Sequence, residues 1–249
     1  VPWGIKAVGA DTSPFDGEGV IVAVLDTGID TTHPAFNGID IVRHNFTTES
    51  DDDINGHGTH CVGTILGRNV KGVRIGVAPG VKKAVIGKIL GEGGGSSDVV
   101  LAGIEWALQQ GANVISMSLG IDFPGYVAYL EKQGVPIDIA TSFALEGYRA
   151  NILLFERLAS LIRVRGEFLQ PCLLIAAAGN ESRRDNNPDY VIAVSPPAVA
   201  EGVISVAALQ TETGGFSIAS FSNTGARVSA PGVSIISARK GGGLTSMSG

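Results

Sequence analysis

With 249 residues, 44% apolar and 17% charged side chains, the chain suits one large α/β domain with a full core, or two small domains, and not a disordered segment. A net charge of −6 without a basic run argues against nucleic acid and anionic membranes as partners. No apolar stretch approaches the ~20 residues that cross a bilayer.

Val1-Pro2-Trp3-Gly4 has neither the charged nor the apolar region of a signal peptide and reads as a mature or internal start. The first strong element is Val20–Leu25, a β-branched run expected to form a strand covered on both faces. It ends in Asp26-Thr27-Gly28, so a carboxylate stands at the carboxyl end of a buried strand, where open α/β sheets hold their chemistry. A turn acid and an aspartic protease loop are the competing readings. The latter needs a second such triplet or a dimer on an all-β scaffold, whereas here helical patterns follow.

The acidic run Glu49-Ser50-Asp51-Asp52-Asp53 reads as a solvated loop, with a calcium ligand set as the alternative. Just beyond lies Asn55-Gly56-His57-Gly58-Thr59-His60-Cys61. Glycines bracket His57 and free its backbone to turn sharply, and the small, apolar residues after it predict a tightly packed helix. His57 at the first turn is either a rigidly held general base or a structural cap.

Strand and helix patterns then alternate. Strands are expected at Lys83–Leu90, Asn113–Leu119, Leu173–Ala178 and Val203–Ala208, and an amphipathic helix at Asp98–Leu108 stopped by Gly111. This rhythm predicts an α/β fold, a parallel sheet with helices on both faces. The loop Gly91–Ser97 lacks the Gly-Lys-Ser/Thr of a phosphate cradle and fits equally an edge that pairs with an extended peptide. Residues 121–171 interrupt the rhythm. Ala140–Phe168 has helical spacing, with Leu154, Leu158, Leu161 and Ile162 expected on the packed side and Arg149, Glu156, Arg157 and Arg163 towards solvent. It reads as an added surface helix, or one that binds a partner.

Three stretches occur in a telling order: Val24–Asp30 around Asp26, Gly56–His60 around His57, and Ala176–Asn180. Together with the Val1–Ile5 opening, Ser116–Gly120, Ser220–Asn223 and Ser229–Val233, they resemble the subtilisin-like serine proteases, or subtilases, along the chain except at 121–171. The resemblance implies a three-layer parallel-sheet α/β fold and hydrolysis of peptide bonds. By it Asp26 fixes the tautomer of His57, His57 takes the proton of a serine, and Asn180 donates its amide to the oxyanion. A peptide substrate is expected to pair with the backbones of Gly94-Gly95-Ser96 and Ser118-Leu119-Gly120. Ala178 and Gly179 are expected in the wall of the pocket for the residue before the cut, with an uncharged, apolar preference. Other implied properties are a peptide or protein substrate, a pro-region inhibitor as partner, and secretion.

Several positions depart from the family pattern. Its strong calcium site takes an acid where Ala35 stands, and the matching loop, Arg68 to Arg74 around Val70, is rich in cations. That site is expected to be lost and no cofactor required, leaving Asp51–Asp53 as the other place for calcium. Cys61 follows His60 as in the cysteine-containing branch and is expected beneath the histidine, not as a nucleophile. With Cys172 it makes no disulfide framework, and a zinc site lacks the His-Glu-x-x-His pattern. Thr245-Ser246-Met247 resembles the nucleophile block Gly-Thr-Ser-Met-Ala, yet Leu244 replaces its glycine. Counting from Ala230-Pro231-Gly232 puts that glycine on Gly249 and the nucleophile two positions past it. The expectation is a fragment without turnover, its C-terminal part incomplete; a non-catalytic peptide-binding module is the alternative.

Overall fold

The computed structural model describes residues 1–249. In chain order its elements are α1 (Trp3–Ala7), β1 (Ile21–Asp26), a 3-10 turn (Pro34–Phe36), β2 (Asp40–Asn45), α2 (His57–Leu66), β3 (Lys83–Lys88), α3 (Ser97–Gln109) and β4 (Val114–Met117). Then come α4 (Phe123–Lys132), α5 (Ile137–Phe168), β5 (Leu173–Ala177), β6 (Val203–Glu212), β7 (Gly215–Ile218), β8 (Val228–Pro231), β9 (Ile235–Ala238) and β10 (Leu244–Met247). They fall into two compact units. One holds Val1–Ser118 with Ala230–Ser248, the other Leu119–Ser229 with Gly249.

In the first unit the strands run in the order β2-β3-β1-β4, all parallel. Five of the six residues of β1 are buried, as its continuous apolar run requires. The pleat divides them between two layers. Val22 and Val24 join Val62 and Leu66 of α2 in one core, while Leu25 lies on the other side against Gly103 of α3. Helix α2 also packs on the β9–β10 hairpin so closely that a Cβ on Gly63 would stand 2.5 Å from Ser237 Oγ. Two histidine side chains fix the hairpin: His33 Nε2 donates to Gly243 O (2.8 Å) and His60 Nε2 to Ile235 O (2.9 Å). Strand β2 and the hairpin were not among the expected elements.

In the second unit β5 pairs parallel with β6, which turns back antiparallel into β7. The interruption at 121–171 holds two helices where one was expected. Pro124 sits in the first turn of α4, where its missing N–H costs nothing, and the Asp122 carboxylate caps the turn by accepting from Gly125 N (2.8 Å). The packed face of α5 also differs from expectation. Ala140, Ala144, Phe155, Ala159 and Ile162 are buried, whereas Leu161 is 65% exposed. Small alanines let the helix approach its neighbours, and Gly202 touches Ala159 where a Cβ would stand 2.8 Å away. No helix is long and apolar enough to cross a membrane.

Candidate active site

Asp26 ends β1 with its side chain wholly buried, and His57 opens α2. Asp26 Oδ1 accepts from His57 Nδ1 at 2.6 Å and from Thr27 N at 2.7 Å, while Oδ2 is buried without a hydrogen bond. A charge so poorly solvated is stabilised chiefly by a partner cation. Accordingly its hydrogen bond with His57 holds the imidazole pKa well above the ordinary value, with Cys61 adding to the effect and burial opposing it. The Nδ1 bond fixes the tautomer and leaves Nε2 as the nitrogen that can take a proton. A histidine so held has the geometry of an oriented general base, which decides between the two readings left open by the heptapeptide.

Cys61 Sγ lies 3.8 Å from both ring nitrogens, hence over the imidazole face. Burial, with the Asp26 charge adding, pushes the thiol above its ordinary value, the opposite of what a thiolate nucleophile needs. Asp26, His57 and Cys61 bring their donor atoms within 4.8 Å of one another. A metal there would have to break the Asp26–His57 bond. Both cysteines are free thiols.

Two glycines make the approach of α2 to β1 possible. Gly56 holds the residue before the helix at φ 96°, in the left-handed region. Gly58 lies so close to the turn after Asp26 that a Cβ would stand 2.2 Å from Gly28 O. The acidic loop before them is not simply solvated. Asp51 and Asp52 are exposed, but Asp53 is 2% exposed and accepts four hydrogen bonds within this turn. Buried Lys88 reaches into the same loop, where its Nζ donates to Ser50 O (2.8 Å) and Asp52 O (2.9 Å) and lies 3.3 Å from Glu49 Oε2.

The remaining expected site residues are distributed as follows. Gly94, Gly95 and Ser96 are exposed. Gly91 and Gly94 exchange two backbone bonds of 3.0 Å, and Ser96 is the residue before α3, so the stretch is a turn entering a helix and belongs to no ladder. Ser118 directly follows β4, and Leu119 and Gly120 open the second unit as an irregular segment. In that unit Ala178 is buried and bonds Val206 O through its N–H. Gly179 turns at φ 109° and leaves Asn180 exposed.

Asn223, not expected as a site residue, organises this turn from a fully buried position. Its Oδ1 accepts from Glu181 N and Ser182 N (3.1 Å each), and its Nδ2 donates to Ala178 O and Ala193 O (3.2 Å each) and to Glu181 Oε2 (2.5 Å). Within the same unit, a Cβ on Gly249 would stand 3.5 Å from Asn180 Nδ2. Ser246, in contrast, sits exposed in β10 opposite Ile236 and makes no hydrogen bond with His57.

Comparison with known proteins agrees with this arrangement. The model of the subtilase family matches residues 17–249. Subtilisin-like protease 6 of Trichophyton verrucosum is 33% identical over 260 aligned positions, covering 99% of this chain and 54% of the relative. An intracellular serine protease of Paenibacillus polymyxa is 31% identical, covering all of this chain and 68% of the relative. Among solved structures, the psychrophilic subtilisin-like protease Apa1 of the Antarctic psychrotroph Pseudoalteromonas sp. AS-11 superposes with a TM-score of 0.69 at 26% identity, over 96% of this chain and 47% of that one. The chain thus spans about half the length of the fungal relative and of Apa1. Its fold is the subtilisin-like α/β fold, and the chain belongs to the subtilase family.

Proposed function

We propose that the chain carries the base half of a serine endopeptidase. Asp26 orients His57, His57 takes the proton of a serine hydroxyl as it attacks a peptide carbonyl, and the Asn180 amide binds the oxyanion that forms. The observation that carries this reading is the 2.6 Å bond from His57 Nδ1 to the wholly buried Asp26. The nucleophile is assigned to the second residue after Gly249, on the family register and on the nearness of Gly249 to the Asn180 amide. His57 then returns the proton to the leaving amine, and a water repeats the sequence to free the acyl group.

In this reading the substrate is an extended peptide of a protein, bound by the backbones of Gly94–Ser96 and Ser118–Gly120. Ala178 and Gly179 would face its residue before the cut and favour an uncharged, apolar side chain. Residues 121–171 form a helical addition to a single catalytic domain. A pro-region is the expected intramolecular inhibitor, and secretion the expected fate. An active-site phosphonate tests the assignment on the full-length protein. Mapping the adduct to the second residue after Gly249 supports it, and labelling at Ser246, or none with a serine present beyond Gly249, overturns it.

We also propose that no calcium is needed at either place named by the sequence. At the first, Ala35 is buried, and the Arg68 guanidinium already binds the carbonyls of Pro79 and Val81 (2.8 Å to the latter). Val70 and Val73 consume each other's backbone groups. At the second, the Lys88 ammonium and not a metal takes the carbonyls of Ser50 and Asp52. Equal melting temperatures in excess calcium and in chelator support this, and a calcium-dependent rise refutes it.

A further inference from the structure

Helix α2 has a structural difficulty at its start. Its first turn carries backbone N–H groups with no intrahelical acceptor, and the residue that would ordinarily cap them is Gly56, which has no side chain. Gly56 is there for its positive φ, so no residue with a capping side chain replaces it without strain. Asp53 supplies the missing acceptors from three residues upstream. Its Oδ1 accepts from Gly56 N (2.7 Å), and its Oδ2 from Thr59 N (2.8 Å) and Thr59 Oγ1 (2.6 Å).

The same carboxylate reaches back towards β1. Thr27 Oγ1 donates to Asp53 Oδ1 (2.9 Å) and itself accepts from Gly58 N (2.9 Å), while Thr27 N donates to Asp26 Oδ1. Backbone groups on both sides of His57 are therefore bound to one rigid anion. The turn that aims Asp26 is tied to it through a single threonine. The anion is desolvated and fully paired, and it lies at the positive end of a helix, where it stays ionised at least cost.

We infer that Asp53 is a positioning residue for the Asp26–His57 pair, holding the histidine backbone and the Asp26 turn in one hydrogen-bonded frame. This rests on the protease reading proposed above. Asp53 touches no reacting atom and acts through Thr27, Gly58 and Thr59. Asparagine is not an equivalent, because all four contacts donate to Asp53. One face of its amide would meet Gly56 N–H or Thr59 N–H donor to donor.

The test uses the full-length protein. Asp53→Asn is expected to lower kcat about 10- to 100-fold, the usual scale for a residue orienting a functional ligand, with KM for a peptide unchanged. The far-downfield proton resonance of the His57 Nδ1–Asp26 bond should move or broaden in the same variant. Thr59→Val, which removes one donor and keeps the carboxylate, should give a smaller change in the same direction and serves if the first variant does not fold. A fall in melting temperature alone, with kcat and the resonance unchanged in both variants, overturns the inference. The two readings fail separately. Absence of phosphonate labelling in the unsubstituted protein refutes the protease assignment, while the resonance reports on Asp53 without any turnover.

Discussion

Helix α2 and helix α5 solve opposite problems. The first has ten residues, of which six are buried, and its contacts are made by glycines, threonine and histidine. The second has 32 residues with five buried, and presents Phe143, Leu153, Leu161 and Phe168 to the surface. Residues of α5 act through apolar area, which tolerates slippage and substitution. At α2 the backbone itself is the contact surface, and the polar groups around its first turn are matched to partners one by one. Chemistry is placed where side-chain volume has been removed, because only there do a strand end and a helix start come within one hydrogen bond of each other.

The contrast can be broken from either side. The largest effect on chemistry is expected from Asp26→Asn, which should lower kcat of the full-length enzyme about 10⁴-fold, the general scale for the orienting acid of such a triad. The same change should return the His57 pKa towards its ordinary value, as followed by the imidazole shifts in an NMR titration. The sign for stability follows. His57 titrates higher in the folded chain than in the unfolded one, so the pair contributes stability fully below an unfolded pKa of about 6.5. That contribution is lost as pH rises through the raised folded value, and the variant's deficit in melting temperature should shrink accordingly.

Gly58→Ala should prevent formation of the native turn, since its Cβ would stand 2.2 Å from a backbone oxygen. Loss of the downfield His57 resonance together with the cooperative transition would show it. In α5, Phe155→Ala should destabilise by about 3–5 kcal/mol in denaturant titration, yet leave the His57 resonance in place. Leu161→Gln, at an exposed position, should change stability by no more than about 0.5 kcal/mol. A large effect there would mean that this face of α5 is covered.

Legibility in the sequence followed the same division. The strands at 21–26, 83–88, 114–117 and 173–177 were apparent because burial on both faces leaves an unbroken apolar run. Helix α4 was hidden by Pro124-Gly125, which looks like a break unless Asp122 is recognised as the cap that makes proline in the first turn acceptable. Leu161 was placed on the wrong face because leucines were counted as packed, whereas the packed stripe is made by alanines and Phe155. At the site, Asp26 and His57 were visible from motif and order. Asp53 was obscured by its two acidic neighbours, which make a charged run look solvated. A usable signal was present: a glycine stood where the helix needed a capping side chain, with an acid three residues before it. No comparable local cue existed for Asn223, whose partners lie 30 to 45 residues away in the chain.

Gly56 borrowing its cap from Asp53 separates two kinds of variation. Ile54 and Asn55, between them, are exposed, and the backbone of Ile54 is held only through its carbonyl, by Lys240. Their identities are nearly free. Their number is not, because adding or removing one residue shifts the carboxylate away from all four of its donors together. The segment ahead of His57 is thus conservative in length and permissive in composition. Among variants of this chain, gaps should be absent between residues 53 and 59 even where the letters at 54 and 55 change.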